Sequence, residues 1–185
     1  MAIRLFLILL LTLMAGNCAT SIPMLEQIRR GGELVVITRN SPTAYFQGPE
    51  GTSGVEYELV HLFAAELKVN VRFLVADRID DILDSVARGQ AHIAAAALTE
   101  LPEWEPRLRF GPSYHEITQQ LVYHRARHTP KLVVDVLGAD LEVVAGSSHE
   151  AQLKRLKAEY PGLTWVSHDE LDSGELLHLV QERLI

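Results

Sequence analysis

Residues 32–67 are GELVVITRNSPTAYFQGPEGTSGVEYELVHLFAAEL, and this segment sets the architecture of the first half of the chain. Its apolar run predicts a buried strand over residues 33–40, because paired glycines precede it and a loop rich in Pro, Gly and Ser follows. The spacing of apolar residues then predicts a helix over residues 55–67. We expect Glu56 to lie outside the buried face of this helix and assign to that face Leu59, Leu62, Phe63 and Leu67.

The same strand-and-helix order continues downstream. Residues 69–76 are predicted to form a strand, residues 79–88 a helix closed by Gly89, and residues 91–98 (AHIAAAAL) a third strand. The small residues of the third strand suit a sheet with helices on both faces. This alternation predicts a mainly parallel sheet in an α/β domain, in which ligands bind outside the carboxyl ends of the strands.

A second alternating unit follows a Pro-punctuated stretch and a strand predicted over residues 120–124. It contains predicted strands at residues 141–145 and 163–167, with helices at residues 148–159 and 174–183. Two α/β lobes joined by extended segments predict a hinged clamp that binds a ligand between them.

The second unit contains only two predicted strands, which make a poor sheet. We therefore expect a second lobe truncated at the C-terminus, and a chain that is the front part of a longer protein. The predicted boundaries are residues 32–124 for the first lobe and residues 125–185 for the hinge and partial second lobe.

Composition excludes several classes of function. The chain has 185 residues, 48% of them hydrophobic, which is enough to bury a core. Its formal net charge is -7 and it has no stripe of Lys and Arg, so we expect no nucleic-acid partner. With a single cysteine and scattered histidines, no metal site is expected, and no cofactor.

Residues 1–21 have the layout of an export signal, with an early positive charge at Arg4, an apolar run over residues 5–14 and then small residues. Cys18 follows this run, and a lone thiol in an oxidising compartment has no disulfide partner. Cys18 is therefore a candidate for lipid attachment and membrane anchoring. Cleavage after Ser21 by an ordinary signal peptidase, with free release, is the alternative.

These segments resemble the family-3 periplasmic solute-binding proteins, which typically bind amino acids and related small molecules. Residues 32–67 match the opening of the family: a strand, a loop with an aromatic residue, and a Gly before a helix that carries an acidic residue. Residues 80–99 (DDILDSVARGQAHIAAAALT) match its next helix and strand, and residues 146–156 (GSSHEAQLKRL) its second-lobe turn. The resemblance implies a two-lobed α/β clamp of the periplasmic-binding-protein type (type II).

Finer matches resemble a narrower group, the N-terminal modules of membrane-bound lytic transglycosylases of the F type. They are RNSPTAYFQ (residues 39–47), EYEL (56–59), QQLVYHR (119–125) and GSSHEAQLKRLKAEYPGLTW (146–165). This resemblance implies a periplasmic ligand-sensing module, anchored to the outer membrane, that regulates a peptidoglycan-cleaving domain beyond Ile185. Peptidoglycan is then a partner through that missing domain, and the module binds an amino acid, peptide or muropeptide. The alternative is a stand-alone binding protein of an uptake system.

The turn Gly146-Ser147-Ser148 opens a predicted helix. Unpaired backbone N–H groups and the helix dipole favour an anion there, and Ser147 and Ser148 add hydroxyl donors. The alternative is an ordinary N-cap by one of the serines, which requires no ligand. With the family pattern added, Ser148 is the favoured ligand contact.

Further ligand-binding candidates lie near the carboxyl ends of the predicted strands. Tyr45 and Phe46 each suit an apolar wall, and Tyr45 matches the aromatic position of the family better. Thr99 offers a hydroxyl, although a turn-forming threonine explains it equally well. Asn40 is a weaker candidate, beside Arg39.

One position departs from the family pattern. Amino-acid binders of the family carry an Arg a few residues past the threonine, which pairs with the ligand carboxylate. Trp104 occupies that position here, with Arg107 and Arg109 nearby but out of register. This departure therefore favours a peptide, a sugar-peptide or an altered binding pose over a free amino acid bound in the usual way.

We nominate no catalytic residue. An enzyme on a binding-protein fold requires a general acid in the cleft, for which Glu56, Glu58 and His149 are the candidates. A Ser-His hydrolase site at Ser147, Ser148 and His149 is rejected, because adjacent helical side chains point apart.

Overall fold

The computed structural model describes residues 22–125 and 128–185, so the predicted signal segment and Cys18 lie outside the described residues. The first lobe contains, in chain order, α1 (Met24–Gly31), β1 (Glu33–Thr38), β2 (Phe46–Gly48), β3 (Gly51–Ser53), α2 (Val55–Leu67), β4 (Asn70–Val75), α3 (Ile79–Ala87) and β5 (Ile93–Ala94). The second lobe contains a 3-10 helix (Val133–Val136), β6 (Glu142–Val144), α4 (Ser148–Glu159), β7 (Val166–His168) and α5 (Ser173–Gln181).

The first lobe is built around a three-stranded parallel sheet in the order β4-β1-β5, which confirms the predicted α/β architecture. Side chains of β1 alternate between two apolar clusters, as successive strand residues point to opposite faces. Leu34 and Val36 pack with α1 and α2, while Val35 and Ile37 pack with α3. Helices on both faces explain why β1 is buried along nearly its whole length.

The predicted buried face of α2 is wrong at three of its four positions and confirmed at Leu67. Leu59, Leu62 and Phe63 are exposed, whereas Val60, Ala64 and Leu67 are buried. These buried positions lie on one stripe of the helix together with Glu56, which is also buried, contrary to expectation. The small side chain of Ala64 allows the helix to approach the sheet closely, so steric fit selects this stripe over the one with larger apolar residues.

Two predicted strands also differ. The third strand is shorter than residues 91–98, because only Ile93 and Ala94 pair with β1 before Ala97 takes a left-handed φ of 51°. No strand forms over residues 120–124 in the described part of the chain. We call residues 109–124 the crossing segment. The loop after β1 contains an unpredicted hairpin, in which β2 pairs antiparallel with β3.

The second lobe has a two-stranded parallel sheet, with Glu142 opposite Val166 and Val144 opposite His168. Its contact with the first lobe is apolar: α3 contributes Ile79 and Leu83, which pack against Val144 and Leu176. At the edge of this contact Arg78 pairs with Asp169 at 3.1 Å. Over residues 22–125 and 128–185 no helix has the length and apolar character needed to cross a membrane.

Candidate ligand-binding cleft

A cavity of about 400 Å³ lies between the two lobes. Its first-lobe wall comes from the loop after β1 and from the chain that follows β5, where the parallel sheet presents its carboxyl ends. Its second-lobe wall comes from the first turns of α4 and α5. Polar groups from both lobes face it: Arg39, Asn40, Ser41, Thr43, Thr99, Ser147, Ser148, His149, Asp172 and Ser173.

The two serines at the start of α4 have different roles. Ser147 is the N-cap, since its Oγ accepts the backbone N–H of Glu150 at 3.3 Å. Ser148 is the first helical residue, and its hydroxyl is left for contacts across the cleft. No acceptor among the described residues meets the backbone N–H groups of Ser148 and His149, as expected for the first turn of a helix. Both residues line the cavity.

Ser148 joins three parts of the molecule. Its Oγ lies 3.1 Å from Thr99 Oγ1 of the first lobe and 3.1 Å from Gln119 Nε2 of the crossing segment, and both groups donate to it. A hydroxyl has two acceptor sites and one proton. With both acceptor sites occupied, the Ser148 proton remains for a ligand acceptor in the cavity.

Glu150 fixes the turn that precedes α4. Its carboxylate accepts the backbone N–H of Gly146 at 2.9 Å and the hydroxyl of Ser167 at 2.6 Å, and it pairs with Lys154 at 3.1 Å. Desolvation alone would raise the pKa of Glu150, but these three interactions outweigh it and lower the pKa to about 2. Gly146 has a φ of 68°, which permits this tight approach.

Charged and titratable groups face the cavity from both sides. Arg39 forms no ion pair with any residue in the described ranges, so its guanidinium is available on the first-lobe wall. On the opposite wall, Asp172 lines the cavity; its Oδ1 accepts the backbone N–H of Glu175 at 2.9 Å, and its second oxygen has no hydrogen bond among the described residues. Partial desolvation at the cavity edge lowers the pKa of His149.

Of the two aromatic candidates for the apolar wall, Phe46 lines the cavity and Tyr45, the favoured one, does not. Tyr45 packs against Phe73 with ring centroids 5.0 Å apart, and against Tyr57 at 5.9 Å, within the first lobe. The cavity is lined by its neighbour Phe46, since adjacent residues at a strand start point to opposite faces. Asn40 and Thr99 also line the cavity, and their contact with a ligand stays a prediction.

Trp104 also lines the cavity, at the position where the family pattern has Arg. Its ring stacks on Phe110 with centroids 6.2 Å apart and joins the apolar contact between the lobes. Arg107 is turned away and pairs with Asp84, which lowers the pKa of that carboxyl.

Gln119 and Asp172 were missed at the sequence level. Asp172 had a local signal, because Asp172 and Glu175 form a reciprocal capping box at the start of α5, and such a cap places its residue at a helix mouth. Gln119 had none, since it lies in a segment without regular structure and its contact with Ser148 spans 29 residues.

The sequence profile of the bacterial extracellular solute-binding proteins, family 3, matches residues 34–182. Relatives named membrane-bound lytic murein transglycosylase F include one from Pseudomonas fluorescens strain Pf-5, 38% identical over 93% of this chain and 36% of its own length. Another, from Pseudomonas savastanoi pv. phaseolicola, is 40% identical over 93% of this chain and 35% of its own length. The chain therefore spans about a third of the relatives it matches.

Solved structures agree in fold. An ancestral arginine-binding protein bound to arginine superposes with a TM-score of 0.73 at 24% identity, covering 83% of this chain and 67% of that one. An arginine-bound form of ArgBP from T. maritima gives 0.72 at 19% identity, covering 85% and 72%. These comparisons confirm the predicted two-lobed α/β clamp and the resemblance stated from the sequence.

Proposed function

This chain belongs to the bacterial extracellular solute-binding proteins, family 3, and on that premise we propose that it binds a small ligand carrying both an anionic and a cationic group. The cavity carries the proposal, because Arg39 faces it from the first-lobe wall, while the start of α4 and Asp172 face it from the second-lobe wall. A carboxylate suits Arg39 and the free N–H groups of α4, and an ammonium group suits Asp172. Amino acids and short peptides have both groups.

The size of the cavity supports the small end of this range. About 400 Å³ lies near the lower limit of small-molecule sites, which run from roughly 300 to 1,000 Å³. Phe46 and Trp104 add apolar surface for a side chain or a sugar ring. A single amino acid or a short muropeptide stem matches this volume, whereas a glycan strand exceeds it.

We further propose that the ligand is a cell-wall fragment and that the chain serves as the periplasmic sensing module of a peptidoglycan lytic transglycosylase. The names of the relatives at 38% and 40% identity support this proposal, as does the extracellular character of the family. Outer-membrane anchoring through Cys18 belongs to the same proposal. The alternative, a binding protein for uptake, is supported by the arginine-bound proteins that share the fold.

Calorimetric titration of the chain with L-arginine, L-glutamine and muropeptides released from peptidoglycan tests the binding site. Ser148→Ala removes a donor to an anionic group, worth about 1.5–3 kcal/mol, so we expect a tenfold to hundredfold loss of affinity. Ser147→Ala is the matched control, because it removes the cap while leaving the Ser148 hydroxyl. Equal affinities in wild type and Ser148→Ala would refute the assignment.

The sensing role is tested in a full-length relative. If ligand occupancy regulates cleavage, the muropeptide that binds best changes the rate at which the full-length enzyme releases anhydro-muropeptides from purified sacculi. An unchanged rate at saturating ligand, combined with tight binding of L-arginine or L-glutamine, would favour uptake. The chain alone is expected to release no anhydro-muropeptides.

A further inference from the structure

Glu56 is a buried acid in the first turn of α2, with only 8% of its surface exposed. A buried carboxylate is costly unless hydrogen-bond donors meet it. Two donors do so from different parts of the chain. The backbone N–H of Ala97 donates to Oε2 at 2.5 Å, and the hydroxyl of Tyr114 donates to Oε1.

These two donors belong to the two first-lobe elements that shape the cleft. Ala97 precedes Leu98 and Thr99, and all three line the cavity. Tyr114 lies on the crossing segment, which brings Ile117 to the cavity and Gln119 to Ser148. One carboxylate therefore ties both elements to the start of α2.

The backbone at Ala97 shows what the carboxylate does. Its φ of 51° is in the left-handed region, which a residue with a Cβ adopts only when its surroundings compensate. The bond to Glu56 is such a compensation, because it holds the Ala97 N–H in the direction that this conformation requires. Thr99 follows two residues later, so the backbone conformation at Ala97 determines its position opposite Ser148.

We propose that Glu56 is a positioning residue for the cleft: it holds the Ala97–Thr99 wall and the crossing segment in the arrangement that lets Thr99 and Gln119 meet Ser148. It does not touch the ligand, since Glu56 itself is outside the cavity lining. The effect on affinity rests on the proposed function, but the effect on the two elements does not.

The experiment compares Glu56→Ala with Glu58→Ala by amide hydrogen exchange of the ligand-free chain. Glu58 is the matched control, because it lies in the same helical turn and is exposed, and its side chain makes no hydrogen bond with the described residues. Loss of a hydrogen bond to a charged group corresponds to about tenfold to hundredfold in an equilibrium constant. We expect exchange at Ala97 to accelerate by at least about tenfold in Glu56→Ala and to stay unchanged in Glu58→Ala.

Two further variants separate positioning from general stability. Glu56→Gln retains an acceptor for the Ala97 N–H and should restore its slow exchange. Desolvation and the hydrogen bond to Glu56 raise the pKa of Tyr114, so removing the charge in Glu56→Gln should lower it. Ultraviolet titration measures this change, and Tyr114→Phe identifies its signal among the five tyrosines. If Glu56→Ala fails to fold, Glu56→Gln and Tyr114→Phe carry the test.

The effect of Glu56 on binding affinity is measured with L-arginine and L-glutamine as probes. We expect Glu56→Ala to bind the better probe about tenfold or more weakly, and Glu56→Gln to recover most of that loss. If wild type binds no probe or muropeptide, the proposed function fails, while exchange at Ala97 still decides the role of Glu56. Unchanged exchange at Ala97 in Glu56→Ala, or an unchanged Tyr114 pKa in Glu56→Gln, would overturn the proposal.

Discussion

The two lobes are held together by different kinds of interaction. In the first lobe, β1 lies between two apolar clusters, and Leu34 and Val36 are completely buried. In the second lobe, the two strands are short and charged hydrogen bonds organise them: Glu150 binds the turn before α4, and His168 contacts Glu142 at 2.7 Å. The first lobe should therefore respond to changes in side-chain volume, and the second lobe to pH.

The cleft is shaped by both kinds of interaction, apolar packing and charged hydrogen bonds. Its first-lobe wall is positioned by a sheet with a large apolar core, and its second-lobe wall by caps and a charged network. A ligand that closes the cleft therefore adds contacts to the lobe with the smaller core. Variants in each lobe test this difference.

The largest expected effect is in the first-lobe core. Leu34→Ala removes a fully buried side chain between β1 and α2, and substitutions of this kind cost about 2–5 kcal/mol in the free energy of unfolding. Urea denaturation at neutral pH measures the loss. Leu62→Ala is the control, because its side chain is 68% exposed, and it should cost under about 0.5 kcal/mol. Similar losses in both variants would contradict the core described here.

The second prediction concerns the loss of stability at low pH. The folded-state pKa of Glu150 is about 2, below the ordinary value of 4.5, so its stabilisation is fully present above 4.5 and is lost as pH falls toward 2. A shift of this size corresponds to roughly 3 kcal/mol. Glu150→Gln should therefore be less stable than wild type at pH 7 and nearly equal to it near pH 2.

Thermal or urea unfolding across this pH range provides the measurement. Glu66→Gln is the control, since Glu66 is exposed on α2 and its side chain makes no hydrogen bond among the described residues. Parallel pH profiles for wild type and Glu150→Gln would show that the network does not stabilise the second lobe.

The third prediction separates the two neighbouring serines. Ser147→Ala removes the N-cap of α4 and should lower the free energy of unfolding by about 0.5–2 kcal/mol. Ser148→Ala leaves the cap intact, so its main effect should be on ligand affinity. Melting curves measure the stability of the two variants, and calorimetry measures their ligand affinity. A loss of stability in Ser148→Ala together with a loss of affinity in Ser147→Ala would reverse the two assignments.

The smallest effect is expected at the ion pair between the lobes. Arg78 and Asp169 are about half exposed, with side chains 49% and 55% accessible, and pairs of this kind contribute about 0–1 kcal/mol. Asp169→Asn should therefore change the free energy of unfolding by less than about 1 kcal/mol, and the difference should vanish at high salt. A larger, salt-independent loss would indicate that the ion pair, more than the apolar contact, joins the lobes.

Sequence patterns correctly predicted the features that depend on interactions between residues close together in the chain. The apolar run of β1 and the turn before α4 follow from strand burial and helix capping, which depend on neighbouring residues. The buried stripe of α2 was wrong because steric fit against the sheet, where Ala64 allows close approach, outweighed hydrophobic size. For the cleft, Thr99 and Ser148 were recognisable as hydroxyls at element ends, but Gln119 depends on the path of an irregular segment. Which of Tyr45 and Phe46 faces the cavity depends on the residue at which β2 starts, and the sequence did not determine that residue.

The central position of β1 has a consequence for biosynthesis. Val35 donates its backbone N–H to His92, 57 residues later in the chain. At about 5–20 residues per second, ribosomal synthesis needs roughly 3–11 s to supply that partner. During this interval one edge of the most apolar strand of the first lobe is unpaired. This edge of β1 thus stays unpaired for seconds during synthesis, long enough for a chaperone to bind it before the sheet closes.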